Sequence, residues 1–171
     1  LPDMAHSPAY GAFSPNPNFP DGETLQWPPA GTIARGHAPL HYAATPEDAA
    51  RAGQELRNPF APDDAQAAQR GAAIFASFCR HCHGPTGQGD GLVVKQGFPP
   101  PPSLTAQHAL DMKDGQMFHV ATYGQGNMPG LAAQLAREDR WRAIVHVRTL
   151  QARTARSQPA AATPSTGATQ P

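Results

Sequence analysis

The sequence is poor in cysteine, has no net charge, and lacks any long apolar run. Only two cysteines occur among 171 residues, so no second cysteine pair exists to complete a four-ligand thiolate metal site. Thirteen basic residues offset thirteen acidic ones, which argues against a broadly basic surface for nucleic acid. No stretch approaches the roughly 20 consecutive apolar residues that span a bilayer. Residues 1–30 show no charged start followed by an apolar stretch, so no signal peptide is expected there. A chain beginning at Leu1 is expected to be a processed or trimmed product. No segment alternates with period two and no internal repeat is visible, so strands are not expected. What the chain has in quantity is proline, 20 residues, with 16 glycines. Few long stretches are free of helix breakers, and part of the chain is expected to lie outside any packed domain.

Three zones follow from this distribution. Residues 1–62 hold eleven of the prolines, and steps such as Ser7-Pro8, Asn16-Pro17 and Phe19-Pro20 push the backbone toward extended conformations. Yet Tyr10, Phe13, Phe19, Trp27, Tyr42 and Phe60, half of the aromatic residues, also lie there. Disordered segments are poor in aromatics, so the expectation is an extended, proline-rich arm whose aromatics dock on a surface. Residues 63–152 are expected to form an all-α domain. Asp63-Asp64 can cap a helix carrying Ala67, Gly71, Ile74, Phe75 and Phe78 at helical spacing. Asp114 can cap a second, with Met117, Phe118 and Ala121. A third starts near Glu138-Asp139, carries Trp141, Ile144, Val145 and Arg148, and ends in arginines, a charge order that suits the helix dipole. Residues 153–171, without a large apolar residue, are expected to be a disordered tail.

Both cysteines fall in Cys79-Arg80-His81-Cys82-His83, the C-x-x-C-H spacing of covalent haem attachment. Two thiols three residues apart reach the two vinyl groups on one edge of the ring as thioethers. The adjacent His83 is then held beneath the iron as its proximal ligand. A thiol–disulfide redox pair, or half of a zinc site, would use the same C-x-x-C. The first does not need the following histidine, and the second needs two more ligands. One covalent haem c is therefore expected.

For the sixth ligand, Met128 lies in Tyr123-Gly124-Gln125-Gly126-Asn127-Met128-Pro129. The glycines permit a tight loop and Pro129 stiffens its exit. Thioether ligation raises the potential relative to two histidines. Met112, Met117, His108 and His119 compete on chain distance alone, but Met117 and His119 lie in a helical stretch. A ligating histidine usually donates its other ring N–H to a carbonyl or carboxylate, and the run Phe98-Pro99-Pro100-Pro101-Pro102-Ser103-Leu104 is a source of such a carbonyl. His6, His37 and His41 form no second metal site. His81 is expected to face solvent, and His146 to be packed or at the surface.

Residues 63–152 resemble a class I c-type cytochrome. The likeness rests on Gly71 and Phe75 ahead of Cys79-Cys82-His83, on Pro102-Ser103-Leu104, and on Met128 ahead of a last helix. It implies that the Pro102 carbonyl holds His83, that Leu104 lies beside the haem, and that Gly71 lets the first and last helices approach closely. His146 stands where the family commonly has an aromatic. A narrower likeness extends over Asp21-Gly22, Gly31-Thr32-Ile33-Ala34-Arg35-Gly36, His83-Gly84-Pro85-Thr86-Gly87-Gln88-Gly89-Asp90-Gly91, Gly97-Phe98-Pro99-Pro100-Pro101-Pro102-Ser103 and Asp139-Arg140-Trp141. These stretches are similar to the mono-haem cytochrome c subunit of bacterial alternative complex III. That resemblance implies an electron-transfer subunit, not itself an enzyme, at the periplasmic face of the cytoplasmic membrane. Its partners would be other subunits of a quinol-oxidising respiratory complex and a downstream oxidase or soluble carrier. Its arm would wrap neighbouring subunits, and its membrane contact would be indirect or through a lipid anchor not present in this chain. A freely diffusing periplasmic cytochrome, a cytochrome subunit of another dehydrogenase or oxidase, and a haem enzyme or ligand sensor are the alternatives.

Overall fold

The computed structural model describes Ala5 and residues 7–35 and 39–157. His6, His37 and the segment 158–171, most of the predicted tail, lie outside the described residues. The chain divides into two units, Leu1–His41 and Tyr42–Pro171, and each is taken by itself.

The first unit is held by short-range polar contacts rather than by a core. Thr24 Oγ1 donates to the Ser14 carbonyl at 2.6 Å, and Asn16 Oδ1 accepts from the Asn18 backbone and side chain. A single antiparallel bridge joins Pro15 and Glu23. The aromatics remain at the surface: Phe13 and Trp27 are each 92% exposed, and Leu25 and Ile33 are more than half exposed.

The second unit is helical. Its helices are α1 (Pro46–Glu55), α2 (Ala65–Ile74), α3 (Arg80–His83), α4 (Leu92–Lys95), α5 (Gln107–Asp111), α6 (Asp114–Tyr123) and α7 (Arg137–Ser157). Helix α1 was not expected, since the segment was read as part of the extended arm. Its N-terminal chemistry explains it: the Thr45 side chain accepts from the Asp48 backbone N–H, Pro46 opens the first turn, and Glu47 and Asp48 follow. Its buried face consists of Ala49, Ala52 and Gly53, small residues that leave no large apolar stripe, and it packs on α6. Tyr42 and Phe60 therefore belong to this unit rather than to an arm. Tyr42 lies under Arg51 and edge-on to His119, and Phe60 lies under Arg142.

The long α7 packs chiefly against α2. Asp64 caps α2 by accepting from the Ala67 N–H at 2.8 Å. Helix α7 spans about 31 Å at 1.5 Å per residue and buries Trp141, Ile144, Val145, Val147 and Leu150. Gly71 is where the two backbones meet. A Cβ there would stand 2.0 Å from the Arg142 carbonyl oxygen and 3.1 Å from the His146 Cβ, so only glycine permits the approach. Asp139, in the first turn of α7, receives Arg70 through two hydrogen bonds and Arg142 through one. Asp114 does not cap α6, whose cap is Lys113; its carboxylate instead accepts from Arg148 at 2.8 Å. Helix α7 continues to Ser157, past the predicted domain end at 152, and the Thr154 and Ser157 hydroxyls donate to the Leu150 and Arg153 carbonyls one turn earlier.

One short pair of strands also forms, against expectation. β1 (Gly124–Gln125) and β2 (Met128–Pro129) pair in antiparallel register, Gly124 opposite Pro129 and Gln125 opposite Met128.

Candidate cofactor site

The cysteine motif sits at the end of an irregular helix. After Ile74 the chain makes a π-helical turn over Phe75–Cys79, in which the Arg80 N–H bonds the Phe75 carbonyl five residues back. Such turns recur at functional sites because they re-aim side chains without ending the helix. Cys79 and Cys82 then lie one turn apart, on the same face, and both are unpaired thiols, partly buried. Burial, reinforced by the neighbouring Cys82 thiol, pushes the Cys79 thiol up to about 11. A thiol–disulfide exchange site needs the opposite, a thiolate populated near neutrality. Among the described residues no group of three or more His, Cys, Asp or Glu side chains is arranged to hold a metal ion, so a zinc site finds no further ligands.

His83 closes α3. Burial holds its pKa below the usual histidine range, with His81 adding repulsion, so the imidazole is kept neutral, the form that binds a metal. Its Nδ1 is buried and has no hydrogen-bond partner among the described residues. The following loop folds back beneath the motif, the Gly89 N–H bonding the His83 carbonyl at 2.8 Å and the Gly91 N–H the Cys82 carbonyl at 3.1 Å. Two thiols on one helical face, a half-buried, neutral imidazole next to them and a buried ring nitrogen with no protein partner fit a covalently tethered haem.

The other predicted residues separate. Leu104, with Cys79 and Met117, packs on a core of Phe75, Val147 and Leu150. Its N–H bonds the Gly87 carbonyl at 2.7 Å and its carbonyl accepts from Gln151. Pro102 is exposed, and no carbonyl among the described residues accepts from His83 Nδ1. The Leu104–Gly87 bond fixes a register in which the carbonyl of Pro101, rather than Pro102, lies against Gly89.

Met128 stands half-buried on β2, outside the cluster that takes in Met117. Gly124 makes its hairpin possible: it has φ 84°, and a Cβ there would meet the Met128 carbonyl oxygen at 2.4 Å. Two of the competing ligands have other partners: His119 is buried with Nε2 2.7 Å from the Ala43 carbonyl, and Met117 packs against the core cluster. His108 is exposed on α5, and His81 is exposed between the cysteines. His146 packs its ring on Phe75 at 5.2 Å. Burial lowers its pKa accordingly.

The sequence reading missed α1 and a buried arginine, Arg140. For α1 the signal was present in Thr45-Pro46-Glu47-Asp48, a cap followed by proline and two acids. For Arg140 no sequence signal exists, because an arginine in a helix is ordinarily a solvated residue.

Residues 66–147 match the family model described as cytochrome C oxidase, cbb3-type, subunit III. The match supports a class I c-type cytochrome over that stretch, and with it a haem cofactor and haem-based electron transfer. No curated protein matches the chain. Among the described residues no helix is long and apolar enough to cross a membrane.

Proposed function

We propose that this chain carries electrons through one haem c bonded to Cys79 and Cys82, with His83 and Met128 as the axial ligands. The observation that carries the proposal is the helical turn bearing two unpaired thiols on one face and, directly after them, a half-buried imidazole whose Nδ1 is buried and unpartnered. When bound, the haem supplies reversible one-electron exchange. The chain does the rest. The two cysteines would tether the group, Phe75 and Leu104 would help shield it from water, and the β1–β2 hairpin would offer the Met128 thioether. With both axial positions filled, no position remains for oxygen or substrate, which separates a carrier from a haem enzyme or sensor. The test is the mass of the purified chain after acid denaturation. One haem retained covalently is expected, and its loss in Cys79→Ser/Cys82→Ser. A chain that sheds all haem on denaturation would overturn the proposal.

We propose further that it is the exit-side cytochrome subunit of a quinol-oxidising membrane complex of the alternative complex III type, facing the bacterial periplasm. The stretches quoted above support this, as do the exposed apolar residues of Leu1–His41, which are suited to burial against a neighbouring subunit. One finding favours a second reading: the matching family is described as an oxidase subunit, so the host complex would be a terminal oxidase. Purification of the native protein in mild detergent separates them. Recovery with a multi-haem cytochrome, an iron–sulfur subunit and integral membrane subunits supports the first, and recovery with an oxidase the second. A soluble single-haem monomer would indicate a diffusing carrier.

A further inference from the structure

We infer that Arg140 is a positioning residue for the Met128 ligand loop, tying the first turn of α7 to the last turn of α6 at the foot of the β1–β2 hairpin. The inference rests on the reading of Met128 as the sixth ligand.

Arg140 is only 6% exposed. Arg51, Arg70, Arg142 and Arg148 all reach a carboxylate, whereas among the described residues none lies within ion-pairing distance of Arg140. Its Nε is buried without a partner. An unpaired buried charge is costly, and burial lowers the pKa of this guanidinium. Its position is instead fixed by two contacts. The guanidinium lies 4.9 Å from the centre of the Phe118 ring, which is itself stacked on Trp141 at 4.0 Å, a cation–π geometry. Its Nη1 donates to Thr122 Oγ1, and that hydroxyl in turn donates to the Phe118 carbonyl at 2.6 Å.

Thr122 is the joint between this guanidinium and the ligand loop. The hairpin leaves α6 at Gly124 and returns against the same turn. The Leu131 N–H bonds the Ala121 carbonyl at 3.0 Å, and a Cβ on Gly130 would stand 2.7 Å from the Thr122 carbonyl oxygen. Both ends of the loop therefore rest on residues 121–124. The loop itself is weak: two paired residues on each strand, with Gln125, Gly126 and Asn127 exposed. A hairpin this short is not stable by its own hydrogen bonds, so the position of Met128 is set at its foot. A helix end without a tertiary tie frays, and Arg140 supplies that tie.

The test uses the full-length holoprotein and carbon monoxide as a probe of the sixth position in the ferrous state. Arg140→Met keeps the side chain's length without its donors. Thr122→Val replaces one hydroxyl by a methyl and serves where Arg140→Met does not fold. Asp139→Asn, which breaks the ion pairs with Arg70 and Arg142 in the same helical turn, is the control for lost stability. Each of the first two variants is expected to raise apparent carbon monoxide affinity about tenfold, the loss of one charge-assisted hydrogen bond. It should also weaken the thioether–iron absorption band of the ferric protein, and Asp139→Asn should change neither. Unchanged carbon monoxide affinity in Thr122→Val and Arg140→Met, with only a lower melting temperature, would overturn the inference and leave Arg140 a packing residue. Met128→Ala is measured alongside. A wild-type protein that binds carbon monoxide as readily as Met128→Ala would count against the ligand assignment rather than against Arg140.

Discussion

The two units of the chain put their large apolar side chains in opposite places. In Leu1–His41, Phe13 and Trp27 are almost fully exposed, and the backbone is fixed by local polar bonds around Asn16, Asp21 and Thr24. In the helical unit Phe75, Phe118 and Trp141 are buried, and the packing around them leaves no space at Gly71. Aromatic content alone therefore does not say whether a segment has a core. Proline every few residues prevents the first unit from presenting one apolar face, whereas helical spacing aligns Ile74 and Phe75 with Ile144, Val147 and Leu150. Burial stabilises the second unit, and the first has apolar surface left over.

Substitutions should separate the units sharply. The largest effect is expected at Gly71. Alanine is ordinarily the better helix former by about 0.5–1 kcal/mol, but here its Cβ would strike the Arg142 carbonyl. Gly71→Ala is expected to cost about 3 kcal/mol through forced separation of α2 and α7. That lowers the melting temperature of the holoprotein by about 10 °C or more. An unchanged or raised melting temperature would show that the helices do not meet at this point.

A smaller effect is expected from Asp139→Asn. Arg70, first by hydrogen bond, and Arg142 hold the Asp139 carboxyl below the usual carboxylate range. A lowered folded-state pKa stabilises the fold above the unfolded value of about 4. That contribution disappears as pH falls through the folded value. Arg70 is largely solvent-exposed, so screening limits the loss to about 1 kcal/mol near neutral pH. Urea titrations of both proteins should diverge at pH 7 and converge at the acid end; a gap independent of pH would contradict the ion-pair account.

The smallest effect on stability is expected in the first unit. Phe13→Ser and Trp27→Ser should leave the stability of the isolated chain unchanged within about 0.5 kcal/mol, and so its melting temperature nearly unmoved, while reducing recovery with membrane partners. A drop comparable to that of Gly71→Ala would mean that these rings support the fold of this chain.

The attachment motif, Asp64 as a cap and the start of α7 were legible in the sequence, because each is a local pattern: fixed spacing, a capping side chain, an acidic first turn. Helix α1 was not legible as a packed element, because Ala49, Ala52 and Gly53 gain their meaning only from α6 across the unit. The same holds for Asp114, whose local role as a cap yields to Arg148, a partner 34 positions away. Which proline carbonyl lies against Gly89 was not legible, since a one-residue register choice decides between Pro101 and Pro102. Arg140 was illegible because sequence carries no mark of burial for a single charged residue.

The measurement that tests the central claim most directly is carbon monoxide binding to the ferrous wild-type holoprotein and to Met128→Ala, read by the Soret shift. The wild type is expected to bind the gas only weakly, and Met128→Ala to bind it fully while keeping its haem attached. Ready binding by the wild type would contradict a six-coordinate carrier ligated by His83 and Met128.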